Sequence, residues 1–453
     1  MTILLLKNAA VIATMNDTAD EIKNGAIYVE NNLISQIGTT ADLEHLTEQA
    51  DRVIDLSGHV VLPGLVNTHH HMYQTLTRAM VQDGTLFQWL VGLYPIWAGL
   101  TDEMVYISTL TASAELLLSG CTTSSDHLYI FPNDCTLDSQ IRAAGEIGIR
   151  FHAARGSMSL GESAGGLPPD KCVEDEPSIM KDTVRLIETY HDPDPQSMMR
   201  IVVAPCSPFS VTPKLMKEAA ELARNYKGVQ LHTHLAETLD EEEFCISKFG
   251  KRPVALMEDF GWLGSDVWHA HCVHMNDDEI HQFGQSQTGI AHCPTSNMRL
   301  GSGIPPICSC LNHHVPVGLG VDGSASNDGS HLLAEARQAM LLQRVQEGAD
   351  AFSGRQALNL ATRGGAKVLG RDDIGYLAPG MSADLIAIDL NRLPYAGATH
   401  DPVSAVIFCQ PQQVDWSIIN GKVVVEKGSL LTVDTEWLTG KHNQLAHQLI
   451  KDF

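Results

Sequence analysis

Two histidines two residues apart, His69 and His71, are the first residues here whose type and spacing can do chemistry. They follow Val60-Val61-Leu62-Pro63-Gly64-Leu65-Val66, an apolar run of strand type broken by Pro-Gly. Alternate side chains of a strand point the same way, so both imidazoles face one side. Neutral imidazole is the commonest metal-binding side chain, and two on one face make half of a tetrahedral zinc-type site. A second His-x-His pair, His232 and His234, closes the run Val229-Gln230-Leu231-His232-Thr233-His234. Glu237 follows in the next loop. A glutamate there can reach a metal-bound water without being a ligand, which is the placement a general acid or base needs. His271 ends Trp268-His269-Ala270-His271, and Asp322 sits in Gly320-Val321-Asp322-Gly323. Each has an ordinary alternative: a polar strand end, an Asp-Gly turn, or, for Glu237, the start of the solvated run Asp240-Glu241-Glu242-Glu243. Those alternatives leave unexplained why all of them fall at the ends of separate strands.

The elements that must position these residues are short apolar strands alternating with helices. Strands are expected at Leu65–His69, Thr122–His127, Arg150–Arg155, Arg200–Pro205, Val229–His234, Val267–His271, Gly289–His292 and Val317–Val321. Helical patterns lie between them, as at Asp102–Ser119, Leu137–Ile147 and Pro213–Tyr226. Eight strands with intervening helices predict a parallel (β/α)8 barrel, an α/β fold whose functional residues sit at the carboxyl ends of strands. Residues 1–62 read as β-type runs, including Leu4–Leu6, Ala9–Ala13 and Gly25–Glu30. After about residue 370 the pattern turns to β type again, with strands expected at Val403–Phe408, Trp416–Ile419 and Lys422–Val425 and a hairpin turn at Asn420-Gly421. The simplest assembly lets residues 1–62 and 370–435 build one composite β-sandwich domain beside a barrel of residues 63–369. Residues 436–453 form a C-terminal helix.

Composition narrows the function classes. The chain has 453 residues, with 30 Lys+Arg against 54 Asp+Glu and a formal net charge of −24. That charge argues against nucleic acid or an anionic membrane as partner, because phosphate binding needs a basic patch. It suits a neutral or cationic small molecule. No segment reaches the apolar length of a membrane span. The N-terminus lacks a basic n-region and a cleavage site, so no signal peptide is expected. The ten cysteines are scattered without CxxC pairs, as free thiols of a cytoplasmic protein would be.

Six stretches carry a resemblance. Pro63-Gly64-Leu65-Val66-Asn67-Thr68-His69-His70-His71, His232-Thr233-His234-Leu235-Ala236-Glu237-Thr238, Ala270-His271-Cys272-Val273-His274, His292-Cys293-Pro294-Thr295-Ser296-Asn297, Leu319-Gly320-Val321-Asp322-Gly323-Ser324-Ala325-Ser326-Asn327 and Gly380-Met381-Ser382-Ala383-Asp384-Leu385 run in order through nearly the whole chain. They resemble the amidohydrolase superfamily, in its branch of purine, pyrimidine and triazine deaminases. The resemblance implies a distorted barrel with a composite β domain. It implies one divalent ion, zinc by preference over iron or manganese, held by His69, His71, His234 and Asp322. It also implies that Glu237 and His271 act on water and substrate, with Asp322 taking a proton. Binuclear relatives carry a bridging lysine at the end of the fourth strand; here that strand ends Val203-Ala204-Pro205-Cys206, so one metal is expected. A homo-oligomer is common among such proteins.

The implied reaction is hydrolytic deamination of an aminated heterocycle. Within the branch, His70-His71-Met72-Tyr73-Gln74-Thr75-Leu76-Thr77-Arg78 and Ala204-Pro205-Cys206-Ser207-Pro208-Phe209 are most similar to 8-oxoguanine deaminases. Adenosine- and S-adenosylhomocysteine-type deaminases carry histidine in place of Cys206, and hydroxytriazine aminohydrolases have a similar first-strand loop. A non-catalytic barrel scaffold is the alternative from another class, but such a relative should have lost ligands or the acid. Gln74 has an amide suited to a ring lactam edge. Trp89 can cover a planar base, or simply pack the core. Arg155 is expected to meet a carbonyl, and Cys206 to line the wall rather than act as nucleophile.

Overall fold

The computed structural model describes residues 2–451 and 453. Eight parallel strands, Leu65–Asn67, Cys121–Leu128, Arg150–Ser157, Met199–Pro205, Gln230–Leu235, Val267–His271, Gly289–His292 and Val317–Leu319, close into a barrel. Closure is made where Leu319 pairs with Asn67. Both faces of these strands are covered, so they read as continuous buried runs rather than alternating ones. The expected barrel is present, strand for strand. Its helices begin at side-chain caps: Thr101 accepts from Met104 N, Thr212 from Leu215 N and Asn276 from Glu279 N.

The first and last barrel strands are the shortest, because the chain leaves the ladder at the residues that matter. Asn67 Oδ1 accepts from Val321 N at 2.9 Å, and Asp322 N donates to His69 O at 3.1 Å. The two strand ends are thereby clamped to each other. Gly320 lies so close to His69 that a Cβ there would meet the His69 Cβ at 2.8 Å and Cys293 Sγ at 2.9 Å.

Both chain ends build a separate nine-stranded sheet. The halves join where His59–Pro63 runs antiparallel to Leu385–Asp389. Residues from both arms, among them Leu4, Ile27, Ile34, Leu385 and Ile418, share one apolar cluster, so the sheet curls over its own core. Arg150, in the barrel, makes a buried bidentate pair with Asp384, in the loop entering the sheet, at 2.9 Å for both contacts. Two element expectations need correction. Leu4–Leu6 and Ala9–Ala13 are one strand, Ile3–Ala13, whose register slips between Leu6 and Ala9. Val403–Phe408 is a helix, Pro402–Phe408, because Pro402 sits at its first turn and Asp401 caps Ser404 N at 3.1 Å. A short apolar run fits either period, and here Val403, Val406 and Ile407 make a buried helical stripe. The C-terminal helix, Thr435–Ile450, packs on the barrel; His442 Nε2 lies 2.9 Å from Thr75 Oγ1.

Candidate metal centre and active site

At the carboxyl end of the barrel the ring nitrogens of His69, His71, His127 and His234 lie within 4.8 Å of one another, and Asp322 groups in the same way with His69 and His271. His69 Nε2 lies 3.2 Å and His71 Nε2 3.4 Å from Asp322 Oδ1. His71 Nε2 and His234 Nε2 are 3.0 Å apart. The proton positions follow from the outer partners. His71 Nδ1 donates to His127 O at 2.7 Å, and His234 Nδ1 to Cys206 O at 2.6 Å. His232 Nδ1 is 3.1 Å from Trp268 O, so His232 Nε2 is an acceptor and takes the Nδ1 proton of His69 at 2.8 Å. A neutral imidazole carries one N–H, so each of these three rings turns a bare Nε2 lone pair to the centre. His69 Nε2 is buried without a hydrogen-bond partner. Three lone pairs and a carboxylate oxygen facing one another repel unless a cation sits between them. The donor set therefore fits a divalent ion, in the three-nitrogen, one-oxygen chemistry that zinc accepts. Burial holds these rings neutral, with His71 pushed down to about 3.

Asp322 is held on both sides. Its Oδ2 accepts from Ser296 Oγ at 2.5 Å and Ser326 Oγ at 3.1 Å, and its Oδ1 from Gly323 N at 2.7 Å. Burial alone would raise its pKa, but the His69 contact and the neighbouring imidazoles take it well below the ordinary range. Asp322 has φ of +60° and His271 of +74°, a left-handed backbone that costs an L-residue about 1–2 kcal/mol. Such strain clusters where a side chain must be re-aimed at a functional centre.

Beside this cluster lies a small, tight pocket. Glu237 lines it, 4% exposed, with Oε2 at 3.5 Å from His271 Nε2 and Oε1 without a partner. Burial pushes the Glu237 carboxyl up to about 7, against the opposing pull of His271. His271 is shifted upward, because Glu237 and Asp322 outweigh its burial. Its Nδ1 lies 2.9 Å from Asn297 Oδ1, which orients the ring. Glu237 is itself placed by Glu241, whose two carboxylate oxygens accept from Ala236 N and Glu237 N at 2.9 Å each.

Residues 60–424 match the model of the amidohydrolase family. The chain belongs to the amidohydrolase family. This amidohydrolase is 46% identical over 449 residues to 8-oxoguanine deaminase of Pseudomonas aeruginosa, covering 98% of each chain. It is 39% identical to hydroxydechloroatrazine ethylaminohydrolase of Pseudomonas sp. strain ADP, covering 92% of this chain and 90% of that one. It superposes with a TM-score of 0.93 on atrazine chlorohydrolase from Arthrobacter aurescens TC1 complexed with zinc, at 33% identity, covering 98% of this chain and 100% of that one.

Within this amidohydrolase, Gln74, Trp89 and Cys206 line the pocket with Glu237, His271 and Asp322. Both amide atoms of Gln74 are buried without partners. Trp89 belongs to wall and core at once: its Nε1 donates to Ala325 O at 3.1 Å and its ring meets Trp97 at 5.4 Å. Burial pushes the Cys206 thiol up to about 12, which keeps it protonated and suits a wall. Arg155 departs from expectation. It lies outside the pocket lining, its guanidinium taken by Glu174 at 2.8 Å, Asp182 at 3.1 Å and Gly156 O, over the ring of Phe131. A strand-end position put Arg155 near the mouth, but two carboxylates from the following segment turned it outward. Sequence reasoning left Ser296, Asn297 and Ser326 without roles; hydroxyls and amides carry no spacing signal of their own. Glu241, in the acidic run whose ordinary alternative is a solvated face, is 1% exposed. Its place four residues after Glu237, in the first turn of a helix, was the available clue.

Proposed function

We propose that this protein is a hydrolytic deaminase of an oxidised purine base, converting 8-oxoguanine and water to urate and ammonia with one zinc ion. The observation that carries the deaminase reading is Glu237: a buried carboxyl poised near neutrality, with a free oxygen, beside three inward lone pairs and Asp322. A zinc-type ion held by His69, His71, His234 and Asp322 supplies the Lewis acidity that makes water a nucleophile near pH 7. Asp322 Oδ1, the oxygen turned to the imidazoles, takes a proton from the attacking water. Ser296 and Ser326 keep Oδ2 occupied, so the carboxylate does not rotate. His271, anchored by Asn297, orients the attack on the ring carbon that bears the amine. Glu237 gives its proton to the adjacent ring nitrogen; the proton that Asp322 took from water passes to the amine, the C–N bond breaks and ammonia leaves, and the new hydroxyl returns a proton to Glu237 as the carbonyl forms.

The base itself is supported by the 8-oxoguanine deaminase relative and by Gln74. A primary amide with both ends unpartnered matches a lactam–amine edge, one donor to one acceptor each way. Trp89 and Phe209 offer apolar walls to a flat ring.

The test is ammonia release by purified, metal-loaded protein from 8-oxoguanine, guanine, isocytosine, adenosine and hydroxylated aminotriazines. Fastest release from 8-oxoguanine is expected. Release only from triazines would move the assignment to the triazine hydrolases, and no ammonia from any ring would remove deamination. Glu237→Gln should keep its full metal content and lose kcat by about 10²–10⁴-fold.

A further inference from the structure

The chain is strongly acidic, yet one hollow reverses the balance. It lies at the amino-terminal ends of the fourth and fifth barrel strands, at the opposite end of the barrel from Glu237, and is an open hollow of about 830 Å3. Arg200, Lys227, Arg363, Lys367 and Arg371 line it, against Asp372 as the one carboxylate among its described lining residues. Two of these cations are matched: Arg371 pairs with Asp373 at 2.7 Å, and Arg363 with exposed Asp17. Lys367 Nζ donates to a neutral partner, Gln287 Oε1, at 3.0 Å.

Arg200 is the unusual member. It is 8% exposed, and its guanidinium is held by carbonyls only: Gly370 O at 3.1 Å and Pro193 O at 3.5 Å. Its Nε is buried without a partner. Burial, reinforced by neighbouring Arg371, pulls its pKa down to about 10 against the weaker opposing pull of Asp373, Asp372 and Asp192, none of which pairs with it directly. A buried cation without a directly paired carboxylate is costly and normally answered by an anion. The wall that carries Arg363 is a π-helical turn, Leu360–Gly364, a distortion found often at functional sites. The turn packs against the last barrel strand, where a Cβ on Gly364 would meet Val317 O at 2.2 Å.

We propose that this hollow is a binding site for a phosphoryl group, with Arg200 as its buried anchor and Lys227 and Lys367 as outer charges. A phosphoryl dianion offers more oxygens and more charge to several cations at once than a carboxylate or halide does. Guanidinium matches phosphate oxygens in fork geometry. The phosphoryl group can be free phosphate or the phosphate of a nucleotide.

The experiment is calorimetric titration of the metal-loaded full chain with inorganic phosphate and, separately, with AMP, at low and high ionic strength. Saturable binding that weakens with salt is expected. The double variant Lys227→Glu/Lys367→Glu should lose roughly tenfold or more in affinity for each charge-assisted hydrogen bond removed, with catalytic turnover unchanged. Arg200→Gln should lose binding as well; the lysine variants decide the matter if it fails to fold. Tighter binding of AMP than of phosphate assigns the group to a nucleotide, and equal binding assigns it to the free ion; either upholds the site. Absence of binding at millimolar phosphate, or binding unchanged in the lysine double variant, overturns it.

Discussion

The Nε2 atoms of His71 and His234 stand 3.0 Å apart, and neither has a proton to give the other. Each ring has committed its single N–H to a backbone carbonyl, of His127 and of Cys206. The contact is therefore not a hydrogen bond but a pair of lone pairs facing one centre. Backbone carbonyls, not other side chains, set the tautomers here. Any substitution that leaves the barrel intact leaves that orientation intact too.

Removing the ion should destabilise the fold measurably. A ligand present at about a hundredfold over its Kd contributes ~2.7 kcal/mol to the native state. Chelation should lower the midpoint of a calorimetric unfolding scan, and re-addition of zinc should restore it. In His234→Ala the midpoint should become much less sensitive to chelator. An unchanged midpoint when a protein shown to contain metal is stripped would contradict the four-donor centre.

Gly323→Ala should act on Gln74 rather than on the metal. A Cβ at that position would fall 1.8 Å from Gln74 Oε1, so the amide must move. KM is expected to rise roughly tenfold, the worth of about one hydrogen bond, with metal content unchanged. Gln74→Ala, which leaves the chain beside Asp322 alone, should reproduce the KM change. A wild-type KM in both variants would take Gln74 out of the substrate contacts.

Glu335, behind the loop that holds Asp322, gives a pH dependence of its own. It accepts from Thr295 N at 3.1 Å and from Asn327 Nδ2 at 2.9 Å, and burial pushes its pKa up to about 7 from 4.5. Between those values the folded state holds the proton more often than the unfolded chain does. The contribution of Glu335 is therefore fully present below 4.5 and lost as pH rises toward 7 and through it. Glu335→Gln has no proton to lose, so its stability relative to wild type should climb across that window. Denaturant titrations from pH 4.5 to 8 measure it; parallel curves for the two proteins would mean that Glu335 titrates normally.

Much of the architecture was legible because periodicity is a local property. Strands such as Met199–Pro205 are apolar on both faces from Ile201 to Ala204, and the helix Leu137–Ile147 shows its stripe in eleven residues. His69 and His71 announced themselves by spacing alone. Val403–Phe408 misled because six residues hold too few periods to distinguish helix from strand, and the Asp401-Pro402 start decided it.

From its order of residues alone, this protein was committed to a barrel with histidines, Glu237 and Asp322 at strand ends, since strand period and apolar burial act over a few neighbours. Tertiary structure decided what no spacing encodes. It matched Asp322 to two serine hydroxyls, spent the N–H of three imidazoles on distant acceptors, and buried Glu241 behind Glu237. It also turned Arg155 away from the pocket and left Arg200 without a carboxylate. Protonation and charge balance depend on which groups meet across hundreds of residues and how little water remains among them. Only the closed barrel sets those distances.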